Sequence, residues 1–199
     1  MACVVLLLKT MARLILASSS PRRKELLEQI GLTFEVYSPD IDESVFVNEQ
    51  AEHYVERLAR AKAQAVLSKF PDATVIAADT SLVLNQNIIG KPQSKQHAFD
   101  IWTALSGRQH EVLSGVCVAD IDQLISTVVR TQVEFQHLSP QIMEAYWATG
   151  EPIGKAGGYA IQGYAAQFIP RIDGSYSNVV GLPLHETLTL LRQLNEYSE

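Results

Sequence analysis

The run Arg13 to Ala17, apolar after its first residue, passes directly into Ser18-Ser19-Ser20-Pro21, and this junction restricts the fold more than any other stretch. A short apolar run of this kind suits a buried strand. Ser20 then stands where a helix N-cap belongs, with proline at the first helical position. The pattern predicts a helix from Pro21 to about Ile30 with Leu26, Leu27 and Ile30 as its apolar stripe, stopped by Gly31, and a second strand over Thr33 to Tyr37. The chain therefore opens strand, helix, strand.

The same reasoning carries along the sequence. Pro39 to Asn48 is a loop holding Asp40, Asp42 and Glu43, and a long helix is expected from about Glu49 to Phe70, ended by Pro71. Thr74 to Ala78 reads as an apolar strand ending at Asp79, and Ser81–Leu84 and Ile88–Ile89 flank a hairpin turn at Asn85-Gln86-Asn87. A helix is expected over Lys95 to Leu105. Val112–Ala119 and Ser126–Phe135 should pair as an antiparallel hairpin, Ser139-Pro140 caps a helix to about Ala148, and a last helix lies near Leu184 to Leu194. Between them sit the glycine-rich segment 154–163 and a short apolar run, Gln167 to Ile169. Alternating helices and strands with an embedded hairpin imply an α/β fold with a mixed sheet.

Composition narrows the function. At 199 residues, 47% hydrophobic and 19% charged, the chain can bury a sizeable core within one domain. A formal net charge of -6 argues against a nucleic-acid partner, which calls for a basic face. Cys3 and Cys117 fit neither a disulfide framework nor zinc-ligand spacing, so a reducing cytoplasm is the expected location. Val4 to Leu8 is too short to span a bilayer, and Met11-Ala12-Arg13 offers a second start, so residues 1–10 are expected to be a dispensable extension ahead of a domain over 11–199.

Several residues break local rules. Arg22, Arg23 and Lys24 fill the first turn of the first helix, where the helix dipole favours negative charge; either they form a solvated basic patch or an anion such as phosphate sits there. Lys62 falls on the apolar stripe formed by Val55, Leu58, Ala59 and Val66, so it either snorkels to solvent or points into a phosphate pocket. Asp79 follows an apolar strand, where a carboxylate can hold a metal, orient water or cap the turn through Thr80 and Ser81. Glu43 offers a second carboxylate and Lys91 a further cation. Gly157-Gly158 and Gly163 around Gln162 would let backbone approach a planar ligand, with the glutamine amide offering donor and acceptor to a base edge, or would simply make a tight turn. No glycine-lysine P-loop and no dinucleotide fingerprint is present, so phosphate binding must use another scaffold.

Taken together, these residues resemble the Maf family of nucleotide pyrophosphatases, once described as septum-formation inhibitors. The resemblance runs from Arg13 to the last helix. It rests on Leu16-Ala17-Ser18-Ser19-Ser20-Pro21-Arg22-Arg23 with Glu25-Leu26-Leu27, Asp42-Glu43, Ala61-Lys62-Ala63, Ala78-Asp79-Thr80, Gly90-Lys91-Pro92, Ile161-Gln162-Gly163 and Val180-Gly181-Leu182-Pro183, in that order. It implies a single-domain fold of the Maf/ITPase-like kind, an elongated mixed sheet flanked by helices with a central cleft. It also implies a divalent metal, Mg²⁺ or Mn²⁺, held by Glu43 and Asp79, with Asp79 as proton acceptor and Ser18, Arg22, Arg23, Lys62 and Lys91 on the phosphates. Arg22, Thr80 and Gln162 match the subgroup acting on dTTP and UTP, whereas a sister subgroup acting on 7-methyl-GTP carries tryptophan, glutamine and glutamate there.

The resemblance thus implies a metal-dependent hydrolase, a homodimer, that cleaves dTTP, UTP or modified pyrimidine nucleotides to monophosphate and pyrophosphate and so cleans nucleotide pools. The competing expectation is a regulator of cell division and septum formation that binds nucleotide without hydrolysing it.

Overall fold

The computed structural model describes residues 13–196. The expected extension over residues 1–10 and the second start at Met11 lie outside them. β1 (Leu14–Leu16) leads into α1 (Pro21–Gln29), and β2 (Glu35–Val36) follows. The helix begins at its proline as expected, but the Ser20 side chain makes no cap; instead the Ser20 amide donates to Oγ of Ser18 at 3.2 Å. β2 keeps only part of the expected Thr33–Tyr37 run because β1 offers it just two partners, in the parallel register Ile15↔Glu35 and Leu16↔Val36.

Next come α2 (Ala51–Leu67), β3 (Thr74–Leu84), β4 (Asn87–Ile89), α3 (Lys95–Leu105), β5 (Gln109–Ala119), β6 (Leu124–Glu134) and α4 (Pro140–Ala148). After two 3₁₀ turns, Ala156–Gly158 and Tyr164–Phe168, the chain forms β7 (Arg171–Asp173), α5 (Tyr176–Val180) and α6 (Leu184–Glu196). The expected hairpin of β5 and β6 is present, in the register Ala119↔Leu124. Asn85 and Gln86 both adopt left-handed backbone, with φ of 51° and 67°, which is what a two-residue turn between β3 and β4 requires.

The strands form one seven-stranded mixed sheet, in the order β2-β1-β3-β5-β6-β7 with β4 alongside β3. Here one expectation is corrected. The strand beginning at Thr74 does not end before Asp79 but runs to Leu84, because β5 pairs with it continuously from Val75↔Ala119 to Val83↔Glu111. The opposite edge of β3 is shared by two shorter strands: β1 pairs as far as Ile76, and β4 begins at Leu82. Between those limits no described strand covers that edge. Asp79 and Thr80 lie at the middle of the gap.

Strand alternation then divides the layers. Val75 and Ala77 of β3, with Cys117 and Ala119 of β5, pack against Ala59, Ala63 and Val66 of α2. Ile76 and Ala78, with Val116 and Val118, pack against Leu26 and Leu27 of α1 and Leu190, Leu191 and Leu194 of α6. A third cluster at the far end of β3 surrounds Trp102 and Tyr146 and joins α3 and α4 to Leu82, Val133 and Phe135.

Candidate active site

The gap in the sheet opens into a cleft of about 940 Å³ that brings together Ser18, Arg22, Arg23, Glu43, Lys62, Asp79, Thr80, Lys91 and Gln162. Its size falls within the ~300–1,000 Å³ typical of small-molecule sites. Nine residues spread over the chain from 18 to 162 thus converge on one wall-to-wall space.

Period-two alternation explains how β3 serves both sides of it. Asp79 shares the α2-facing side of the strand with Val75 and Ala77, and there Lys62 reaches it: Nζ of Lys62 donates to Oδ1 of Asp79 at 2.7 Å. The same nitrogen is 2.7 Å from Oε1 of Glu43. Lys62 is buried, so its place on the apolar stripe is neither a snorkel nor a free cation; it joins two carboxylates. Burial opposes ionisation of Glu43, but the Lys62 hydrogen bond and charge, with Lys91 and Arg23 nearby, outweigh it and hold the carboxyl below its ordinary value.

Thr80 faces the other side, toward α1 and α5. Its Oγ1 donates to the Gly181 carbonyl at 3.1 Å, lies 2.8 Å from Oγ of Ser114, and accepts from Nη2 of Arg23 at 3.2 Å. The Arg23 fork also donates from Nε to the Gly181 carbonyl at 2.8 Å and from Nη1 to Oγ of Ser18 at 3.1 Å. Three of its five N–H groups are thus committed to protein. Burial lowers its affinity for a proton, opposed by Asp79 and Glu43. Arg22, one position earlier in α1, lines the cleft directly. The basic helix start is therefore split between one cation that knits the wall together and one that faces the cavity.

Glu43 sits on a loop that α2 pins in place. The Tyr54 hydroxyl donates to the Glu43 carbonyl at 2.9 Å, and burial together with Asp79 and Glu43 pushes the Tyr54 phenol up to about 12. Arg57 donates from Nη2 to the Ser44 carbonyl at 3.0 Å, pairs with Glu49 at 2.6 Å and lies 3.9 Å over the Phe46 ring. As a sequence feature Arg57 is an ordinary exposed charge; its work is to hold this loop. Lys155 was not foreseen either. It lines the cleft near Arg22, and burial and that neighbouring charge make its ammonium easier to deprotonate despite Glu151. Nothing in the irregular segment around it signals that position.

Of the glycines near Gln162, Gly163 lines the cleft, whereas Gly157 and Gly158 do not. A Cβ on Gly157 would meet Cδ1 of Leu82 at 2.4 Å, and one on Gly158 would meet Pro92 and Trp102 at 3.3 Å, so both are fitted against the protein. Both also have φ of 66°. Gln162 itself is exposed and lines the cleft, where its amide can present donor and acceptor.

Among the described residues no group of three or more His, Cys, Asp and Glu side chains is placed to hold a metal. Two carboxylates, all-oxygen and already gathered around a single positive charge, do match the way Mg²⁺ is bound, through one or two carboxylates with substrate phosphates completing the shell. The residues fit such an ion only when the substrate contributes.

Residues 13–194 match the family described as Maf-like protein. A dTTP/UTP pyrophosphatase of Acinetobacter baylyi is 65% identical over 183 residues, which cover 92% of this chain and all of that one. The dTTP/UTP pyrophosphatase of Colwellia psychrerythraea is 49% identical, covering 92% and 88%. Among solved structures, the Staphylococcus aureus Ham1 protein aligns with a TM-score of 0.53 at 14% identity, over 94% of this chain and 100% of that one, a likeness of fold.

Proposed function

The chain belongs to the Maf-like protein family, and from that membership and the cleft we propose that it hydrolyses dTTP and UTP to the monophosphate and pyrophosphate. The observation that carries the reading is the grouping of Arg22, Lys62 and Lys91 around the paired carboxylates Glu43 and Asp79, in the same cleft as Thr80 and Gln162. Arg22 and Lys91 are placed to meet a triphosphate, and Lys62 holds the two carboxylates beside the water.

In this mechanism a water oxygen forms a bond to the α-phosphorus, the bond from that phosphorus to the α–β bridging oxygen breaks, and pyrophosphate leaves with the electron pair. Asp79 takes the proton of the attacking water. Lys62, Arg22 and Lys91 offset the charge that gathers on the departing pyrophosphate, and Ser18 and Arg23 shape the wall that receives it. Glu43 and Asp79 would hold a divalent cation, Mg²⁺ or Mn²⁺, which would supply neutralisation of the phosphates and a more acidic water. Gln162, Thr80 and Arg22 are the residues assigned to base selection. The same reading takes the protein as a cytoplasmic homodimer, supported by the family resemblance alone; light scattering of the purified chain tests the dimer.

A panel of nucleoside triphosphates, scored for pyrophosphate release with and without EDTA, tests the activity. Metal-dependent turnover of dTTP and UTP above CTP and the purines is expected. Binding of these nucleotides with no product from any of them would instead favour the non-hydrolytic regulator, which the names of the relatives do not support.

A further inference from the structure

Glu151 is not aimed into the cleft; its carboxylate is turned into the chain beside Gln162. Oε1 accepts from the Tyr146 hydroxyl at 2.7 Å and from the Ala165 amide at 3.3 Å, and Oε2 accepts from the Tyr164 amide at 2.6 Å. Tyr164 and Ala165 open the 3₁₀ turn Tyr164–Phe168, so the carboxylate satisfies amides that have no partner within the turn. The Glu151 carbonyl accepts from Nζ of Lys155.

Gly163 reports how tightly this is fitted. A Cβ there would come within 1.9 Å of Oε2, and the three nearest atoms all belong to Glu151. Its φ of -115° is negative, so what a side chain there would meet first is the carboxylate and not left-handed backbone strain. The other end of the link is rigid: Tyr146 is buried, with its ring 5.0 Å from Trp102 and 5.3 Å from Phe168. Burial works against the ionised carboxyl, but the Tyr146, Tyr164 and Ala165 hydrogen bonds, with Lys155 near, hold it below its ordinary value.

We propose that Glu151 is a positioning residue for base selection, which ties the buried Tyr146 to the Gln162-Gly163 turn and so fixes where the Gln162 amide meets the base. The proposal rests on the pyrophosphatase reading above. Uracil and thymine share a ring N–H donor beside a carbonyl acceptor, whereas cytosine reverses that pair. A glutamine amide can present either pair by turning over, so the position of its backbone, which sets what each end of the amide can reach, bears on selection.

The test is Glu151→Gln, which keeps the volume but turns an NH₂ donor toward the Tyr164 amide or the Ala165 amide, each itself a donor. KM for dTTP and UTP should rise about tenfold or more and the preference over CTP should fall by a similar factor, with kcat held within about threefold, as expected when binding shared by ground and transition states is lost. Gly163→Ala should do the same, and Glu151→Ala with Gly163→Ala should be no worse than Glu151→Ala alone, because the clash has been removed. Tyr146→Phe, which cuts the tie to the buried ring while leaving both amide bonds in place, should lower the preference in the same direction but by a smaller factor. Full additivity of the Gly163 and Glu151 changes would overturn the proposal, as would unchanged preference in Glu151→Gln or a kcat loss with KM unmoved. Calorimetric binding of dTTP and CTP reads the same preference without turnover. An inactive wild-type chain that still discriminates by binding would therefore count against the pyrophosphatase reading alone.

Discussion

Nζ of Lys62 donates a 2.7 Å hydrogen bond to Oδ1 of Asp79, and the pair is buried where the edge of β3 lies uncovered. The same ammonium lies 2.7 Å from Oε1 of Glu43, so a single positive charge is shared by two carboxylates side by side. Asp79→Asn retains an oxygen that can accept from Lys62, and the fold should survive it with Tm changed by only a few degrees. The proposed proton acceptor is lost, however, and kcat for dTTP should fall by about 10²- to 10⁴-fold. Pyrophosphate release by the purified variant measures this; a rate within tenfold of wild type removes Asp79 from the chemistry.

Arg22 and Arg23 are adjacent in sequence but should separate cleanly under mutation. Arg23→Ala deletes hydrogen bonds to Ser18, Thr80 and the Gly181 carbonyl, at about 1 kcal/mol each, and should lower Tm by roughly 6–12 °C along with activity. Arg22→Ala faces the cavity and should raise KM for dTTP at least about tenfold with Tm nearly unchanged. Thermal melts paired with steady-state kinetics make the comparison. Equal loss of Tm in both variants would refute the division of labour.

How much of this was legible beforehand follows from the range of each interaction. Period-two and period-3.6 patterns revealed the hairpin of β5 and β6 and the long helix α2, because burial of one face shows directly in sequence. Lys62 was visible as an anomaly on an apolar stripe, but its partners lie 17 and 19 positions away and no local pattern joins them. Asp79 was misplaced at a strand end because the continuity of β3 depends on pairing with β5 more than thirty residues later. β7 and α5 are too short to carry a period, and Glu151 acts through backbone amides, which sequence does not mark.

His110 ties stability to pH. Its ring is buried, with Nε2 2.8 Å from the Tyr159 hydroxyl and Nδ1 without a hydrogen-bond partner among the described residues, and burial lowers its pKa from 6.5 to about 4. A proton therefore binds the unfolded chain more readily than the folded one throughout that window. Stability is full above pH 6.5 and falls as the pH drops toward 4, by about 1.4 kcal/mol per unit. Between pH 7 and pH 5 this contributes a Tm loss of roughly 4–8 °C. His110→Gln can still meet the Tyr159 hydroxyl but cannot titrate, so its Tm should fall less over the same interval. Parallel slopes for the two proteins would exclude His110 as the source.

Gly115 sets the distance on which the Lys62–Asp79 contact depends. It pairs with Asp79 across β3 and β5, and a Cβ there would stand 2.3 Å from the Val55 carbonyl oxygen and 2.7 Å from the Glu56 nitrogen. Both are backbone atoms of α2, so a methyl group could be admitted only by lifting the helix off the sheet. Such overpacking costs about 1–3 kcal/mol, or roughly 2–12 °C in Tm. Lys62 lies on the same helix seven residues beyond Val55, and lifting α2 would draw it from Asp79. Gly115→Ala should therefore lose at least about tenfold in kcat even well below its own Tm, since small displacements in a site of this kind carry large rate penalties. Kinetics at 10–20 °C below the variant's melting point separate this from simple unfolding. Normal turnover with a normal Tm would mean that α2 does not need glycine at this position to bring the lysine to its carboxylates.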